Sequence, residues 1–107
     1  MDELEKVIRV NNLFQIYGPI LSTTQQEMIK DYYEYNLSLA EIAENRNISR
    51  SAVDDALKKG VKKLEYYEAQ LHLLERNEEL MSLIDKLKEK DLDMESKEIL
   101  EEMERRI

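Results

Sequence analysis

The sequence predicts an all-α fold: a small helical bundle built around a helix-turn-helix at residues 37–63 and continued by a long C-terminal helical extension. Three observations predict it. Only two Gly and one Pro interrupt 107 residues of which 37% are charged, and the abundance of Leu, Glu, Lys, Ala and Met favours helices with short connections over a β fold. Apolar side chains recur at three- and four-residue spacing, the period of an amphipathic helix. Finally, Ser38-Leu39-Ala40-Glu41-Ile42-Ala43-Glu44 followed by Asn47-Ile48-Ser49-Arg50-Ser51-Ala52-Val53 describes two helix starts separated by a tight turn. The 42% apolar content suffices for one modest core, because a small domain buries a smaller share of its surface than a large one.

The first helix is expected over residues 2–17, where Leu4, Val7, Ile8, Asn11 and Phe14 repeat at helical spacing and Gly18-Pro19 stops the pattern. Ser22 or Thr23 can cap a second helix, with Gln25 or Gln26 completing a capping box. Met28, Ile29, Tyr32 and Tyr33 form its apolar stripe, and it ends near Tyr35 or Asn36. Ser38 and Glu41 can each satisfy a free backbone N–H at the start of a third, short helix that ends near Asn45. Arg46-Asn47-Ile48 then forms the turn, since Asn tolerates positive φ, and Ser49 caps the next helix at once. Ala43 is small enough for close helix approach, while Ile42, Ile48 and Val53 are expected to pack between the two helices. Ser49, Arg50, Ser51, Asp54, Asp55 and Lys58 then face outward, where such motifs present side chains to a DNA major groove.

From residue 49 the pattern Val53, Ala56, Leu57, Val61, Leu64, Tyr67, Leu71, Leu74 predicts one long helix passing through Gly60, where a kink is expected because Gly costs about 1 kcal/mol in a helix interior. Leu64, Tyr67, Leu71 and Leu74 make a 3-4-3 seam, the candidate surface for a partner or a homodimer. Residues 1–75 are therefore expected as the helix-turn-helix domain and residues 76–107 as an acidic helical tail. In that tail Leu80, Leu83, Ile84 and Leu87 form one short stripe and Ile99, Leu100, Met103 and Ile107 a last one. The break is expected at residues 91–93, with fraying beyond it.

Charge is distributed unevenly. The net charge is −8, which disfavours generic nucleic-acid binding. Yet residues 1–48 carry four basic and eight acidic side chains, residues 49–64 five and two, and residues 65–107 seven and fourteen. The single positive segment lies where a recognition helix is expected. Without cysteine there is no disulfide framework, and the lone His72 does not make a zinc site. Neither a Gly-rich phosphate loop nor an ordered set of nucleophile and base is present, so an enzyme is not expected, nor any cofactor. The Met1-Asp2-Glu3 start and short apolar runs point to a cytoplasmic chain with no membrane insertion.

Two resemblances follow from these residues. The motif resembles the helix-turn-helix of sigma-factor region 4, a fold related to winged-helix DNA binders. Asn12-Leu13-Phe14 with Tyr17, then Tyr32-Tyr33, residues 38–44 and residues 47–53 resemble the YlxM-like family of bacterial proteins, over roughly residues 7–75. That resemblance implies a regulatory accessory of the signal recognition particle, acting on its RNA, its protein or the targeting GTPases. Arg46 departs from the pattern, standing at a place usually apolar, so its aliphatic stem is expected to cover the core. Asp54 and Asp55 put two carboxylates on the recognition helix, where they repel phosphate, although a carboxylate can accept a hydrogen bond from cytosine N4.

The candidate nucleic-acid contacts are thus Ser49, Arg50, Ser51, Asp54, Lys58, Lys59 and Lys62, with Lys63 beside them, and Arg50 central. The competing expectation is a solvated face on which the lysines pair with Asp54, Asp55 and Glu65 at i,i+4 or i,i+3 spacing, each pair contributing only tenths of a kcal/mol. Tyr32, Tyr33, Tyr35, Tyr66 and Tyr67 are expected in packing ahead of base stacking. Three functions remain open: a nucleic-acid-binding accessory, a protein adaptor working through the acidic helices, and a sequence-specific DNA-binding regulator.

Overall fold

The computed structural model describes residues 2–107. Among them are six α-helices and no strand: α1 (Glu3–Tyr17), α2 (Thr23–Ile29), α3 (Leu39–Arg46), α4 (Arg50–Leu71), α5 (Leu73–Lys88) and α6 (Met94–Arg105). A 3-10 turn, Gly18–Ile20, follows α1, and a π-helical turn, Lys30–Glu34, extends α2. The all-α expectation is met, and Ser22, Ser38 and Ser49 cap helices as expected. Asp2 accepts a hydrogen bond from the Glu5 N–H at 2.7 Å. Ser22 with Gln25, and Ser38 with Glu41, form reciprocal capping boxes. Each satisfies backbone donors that the first helical turn leaves without an internal partner.

The chain divides into two compact units, Met1–Leu71 and His72–Ile107. The division lies a few residues before the expected boundary at residue 75, because the helix from Arg50 does not run on to Leu74. It stops at His72, whose backbone is left-handed at φ 55°.

In the first unit α4 is the central helix, contacted by α1, α2 and α3. Val10, Leu13 and Tyr17 of α1, Met28 and Ile29 of α2, Ile42 and Ala43 of α3, and Val53, Leu57 and Leu64 of α4 form the core. Full burial of a side chain such as Leu13, Ile42 or Leu64 stabilises the fold by roughly 1.5–3 kcal/mol. The face of α1 that packs differs from the expected one, since Leu4 and Ile8 are exposed. Both series have helical spacing, and Val10, Leu13 and Tyr17 win because they meet α4.

Three polar ties fix how the helices sit. The Tyr17 hydroxyl donates to Glu68 Oε1 at 2.7 Å in a buried contact. Arg9 grips Glu65 with two hydrogen bonds, Nε to Oε1 at 2.6 Å and Nη2 to Oε2 at 2.9 Å, a bidentate pair joining α1 to α4. Arg46 closes the third tie, with its guanidinium 2.7 Å from both Glu27 and Asp31. The side chain expected to cover the core thus anchors the end of α3 to α2 and its π turn, and the hydrogen bond to Asp31 raises its pKa further.

Helix α4 runs unbroken through Gly60. The absent side chain leaves room for α2, since an added Cβ would lie 2.8 Å from Ile29 Cδ1. The Leu64–Tyr67–Leu71–Leu74 seam is corrected. Leu64 is fully buried in the core and Tyr67 stacks on Tyr17 at a centroid distance of 6.2 Å. Leu74 is buried too, and Leu71 alone of the four is exposed. Most of the predicted interface is therefore spent within the chain.

In the second unit α5 packs on α6, with Ile84 and Leu100 buried. The expected frayed tail is a capped helix, since Asp93 accepts from the Ser96 N–H at 2.8 Å. An ion pair joins Lys88 to Glu104. The two expected stripes are mostly uncovered: Leu80, Leu83, Leu87, Ile99 and Met103 are exposed.

Candidate nucleic-acid interface

The helix-turn-helix comes from α3, its turn and the start of α4. Helix α3 is stopped by Asn47 in the left-handed conformation, φ 55° and ψ 47°. The Ile48 N–H then bonds back to the Ala43 carbonyl at 3.0 Å, the six-to-one closure that satisfies the end of a helix. A residue other than Gly, Asn or Asp adopts this backbone at a cost of roughly 1–2 kcal/mol, because its Cβ crowds the following carbonyl. Ser49 Oγ next accepts from the Ala52 N–H at 3.0 Å, starting α4 without a gap. Ile42 and Val53 are fully buried between the helices, as expected, whereas Ile48 is partly exposed.

With Val53 and Leu57 inward, Ser49, Arg50 and Ser51 are all exposed at the N-terminal turn of α4. This end carries a partial positive charge from the aligned peptide dipoles and favours an anion. One turn on, Lys58 Nζ lies 2.8 Å from Asp54 and Lys59 Nζ 2.9 Å from Asp55, both at i,i+4 spacing. The hydrogen bond to Asp54 raises the pKa of Lys58, which stays charged. The expected pairing thus takes up two of the five basic residues and both aspartates. Arg50, Lys62 and Lys63 have no ion pair among the described residues. The net positive charge of the segment is carried by those three.

Beside this face lies a cleft of about 300 Å³ lined by Lys6, Tyr32, Tyr33, Leu39, Asp54, Leu57, Lys58, Val61 and Lys62. The Tyr32 and Tyr33 rings meet edge to face at 4.9 Å, and burial raises the pKa of the Tyr33 hydroxyl. Asn11 Nδ2 donates to the Tyr33 carbonyl at 3.0 Å and holds the π turn in place. The sequence does not single out Lys6, because the residues it joins lie on other helices and share no spacing with it.

Comparison with known proteins decides the family. The chain matches the family described as "Putative helix-turn-helix protein, YlxM / p13 like" over residues 4–105. It belongs to this family. The YlxM/p13-like match extends through α5 and α6, beyond the roughly 7–75 span of the resemblance read from the residues. Its relatives include a UPF0122 protein of Lactiplantibacillus plantarum, 44% identical over 91 residues that cover 81% of this chain and 79% of the relative. Another, from Lactococcus lactis subsp. cremoris, is 47% identical over 88 residues, 78% of this chain and 79% of the relative. A third, from a Thermoanaerobacter species, is 38% identical over 102 residues, 89% of this chain and 87% of the relative. The YlxM/p13-like family is named for its helix-turn-helix and not for a catalytic activity. No helix among the described residues is long and apolar enough to cross a membrane.

Proposed function

We propose that this YlxM/p13-like chain is a non-enzymatic, cytoplasmic regulatory protein that binds nucleic acid through the N-terminal half of α4, as an accessory of the signal recognition particle. One observation carries the nucleic-acid part. In a chain of net charge −8, the exposed start of a helix-turn-helix recognition helix presents Ser49, Arg50 and Ser51, with Arg50 and Lys62 not neutralised by neighbours. Hydroxyls and a guanidinium at a helix N-terminus are the groups that contact phosphate and base edges in such motifs. The particle's RNA is the proposed target because the YlxM resemblance points there. Asp54 and Asp55 keep the affinity modest and local.

The purified protein is expected to bind signal recognition particle RNA in an electrophoretic or polarisation assay at low salt, with an affinity that falls steeply as the salt is raised through the physiological range. Tight binding to duplex DNA alone would make the chain a transcriptional regulator. Absence of binding to either would leave the surface of α4 a solvated helix face.

A second reading has its own observation. Residues 65–107 carry seven basic and fourteen acidic side chains, and α5 and α6 expose Leu83, Ile99 and Met94. An acidic face with apolar centres suits a basic protein partner, such as the protein component or a GTPase of the targeting pathway. A complex that survives nuclease treatment would favour this adaptor role.

A further inference from the structure

We propose that the cleft between α1, the π turn and α4 is a pocket for one unpaired nucleotide of the RNA held by α4. This rests on the nucleic-acid reading above and deepens it. Its walls combine the two chemistries that a nucleotide needs. Cations converge from separate elements, Lys6 from α1 and Lys58 and Lys62 from α4, against the single carboxylate of Asp54 among the lining residues. Lys6 and Lys62 have no ion pair among the described residues, and Lys58 is held by Asp54 at 2.8 Å, a contact that a phosphate oxygen can displace. The same cleft is lined by Tyr32, half-buried, Tyr33, buried, and the apolar side chains of Leu39, Leu57 and Val61.

An acidic peptide would use the lysines and leave the aromatic wall with nothing to face. A nucleotide engages both, its phosphate on the ammonium groups and its base on the Tyr32 ring, the mode by which unpaired RNA bases are recognised. The volume of about 300 Å³ is at the lower end for small-ligand pockets and suits a single base with its phosphate. The wall is also tied to α1. Tyr32 and Tyr33 lie on a π turn, an irregularity frequent at functional sites, and the Asn11 side chain pins it through the Tyr33 carbonyl. Position completes the case, because Lys58 and Lys62 lie on the same helix as Arg50, about 12 and 18 Å along it at 1.5 Å per residue. RNA held at the start of α4 reaches the mouth of the cleft by following that helix and turning roughly a third of the way around it, since Lys62 lies twelve residues on at 3.6 residues per turn.

The test uses the full chain with two RNA hairpins, one with a fully paired stem and one with the same stem carrying a single bulged 2-aminopurine. The bulged hairpin is expected to bind about tenfold more tightly, from stacking and phosphate contact, with quenching of the 2-aminopurine fluorescence. Tyr32→Ala removes the preference and the quenching. Lys6→Gln, an exposed change on α1 that does not threaten folding, removes most of the preference while leaving the affinity for the paired hairpin as it was. Equal affinity for the two hairpins, or a preference that survives Lys6→Gln, overturns the proposal. If the paired hairpin binds and the bulge adds nothing, only the cleft falls. If neither binds, the nucleic-acid reading of α4 falls and takes the cleft with it.

Discussion

Gly60→Leu is expected to destabilise the first unit by about 3 kcal/mol or more, the upper range for overpacking a filled core. The reason is where α2 crosses α4. A Cβ at position 60 would stand 2.8 Å from Ile29 Cδ1, 3.5 Å from Ile29 Cγ1 and 3.8 Å from Gln25 Cβ. Ile29 is 1% exposed and cannot retreat into solvent. Gly60→Ala sets two effects against each other: about 1 kcal/mol gained in helix propensity and about 1–3 kcal/mol lost to the clash. A net loss near 1 kcal/mol is expected, and Ile29→Val in the same chain, which removes the clashing methyl, should recover most of it. Urea unfolding of the single and double variants measures both terms. Unchanged stability of Gly60→Leu would mean that the helices do not meet at this point.

Arg50→Glu combined with Lys62→Glu is expected to lower nucleic-acid affinity at low salt by about a hundredfold or more, since two phosphate contacts are lost and two repulsions added. Folding should be unaffected. Both residues are exposed and neither has an ion-pair partner among the described residues, so no charge is left stranded by the change. Lys59→Gln is the control, because Lys59 is already paired with Asp55 at 2.9 Å, and a smaller loss is expected. Binding isotherms with a thermal melt of each variant separate loss of contact from loss of fold. Undiminished affinity of the double variant, with its fold intact, would remove α4 as the binding surface.

What was legible in the sequence was local. Ser38 with Glu41 and Ser22 with Gln25 act within one turn, so residue type and spacing suffice to place those caps, and Asn47 marks the left-handed turn on its own. The outward position of Ser49, Arg50 and Ser51 followed from the inward spacing of Val53 and Leu57. What was not legible depends on partners distant in sequence. Gly60 looks like a weak point in a helix until Ile29 is placed against it. Arg46 looks like a misfit until Glu27 and Asp31 receive it. In α1 two apolar series share one helix, and only the approach of α4 selects Val10, Leu13 and Tyr17. His72 adopts φ 55° although His signals no helix stop, and this one residue ends α4 before Leu74 and sets the unit boundary there. The cleft was invisible for the same reason, since Lys6, Tyr32 and Lys62 come together only in the fold.

The most direct test of the central claim is a map of backbone amide shifts in the ¹⁵N-labelled chain as signal recognition particle RNA is added at low salt. The amides of Ser49, Arg50, Ser51 and Ala52 are expected to move first and furthest, followed by those around Lys58 and Lys62, while α5 and α6 stay still. Shifts confined to α5 and α6, with the start of α4 unmoved, would contradict it.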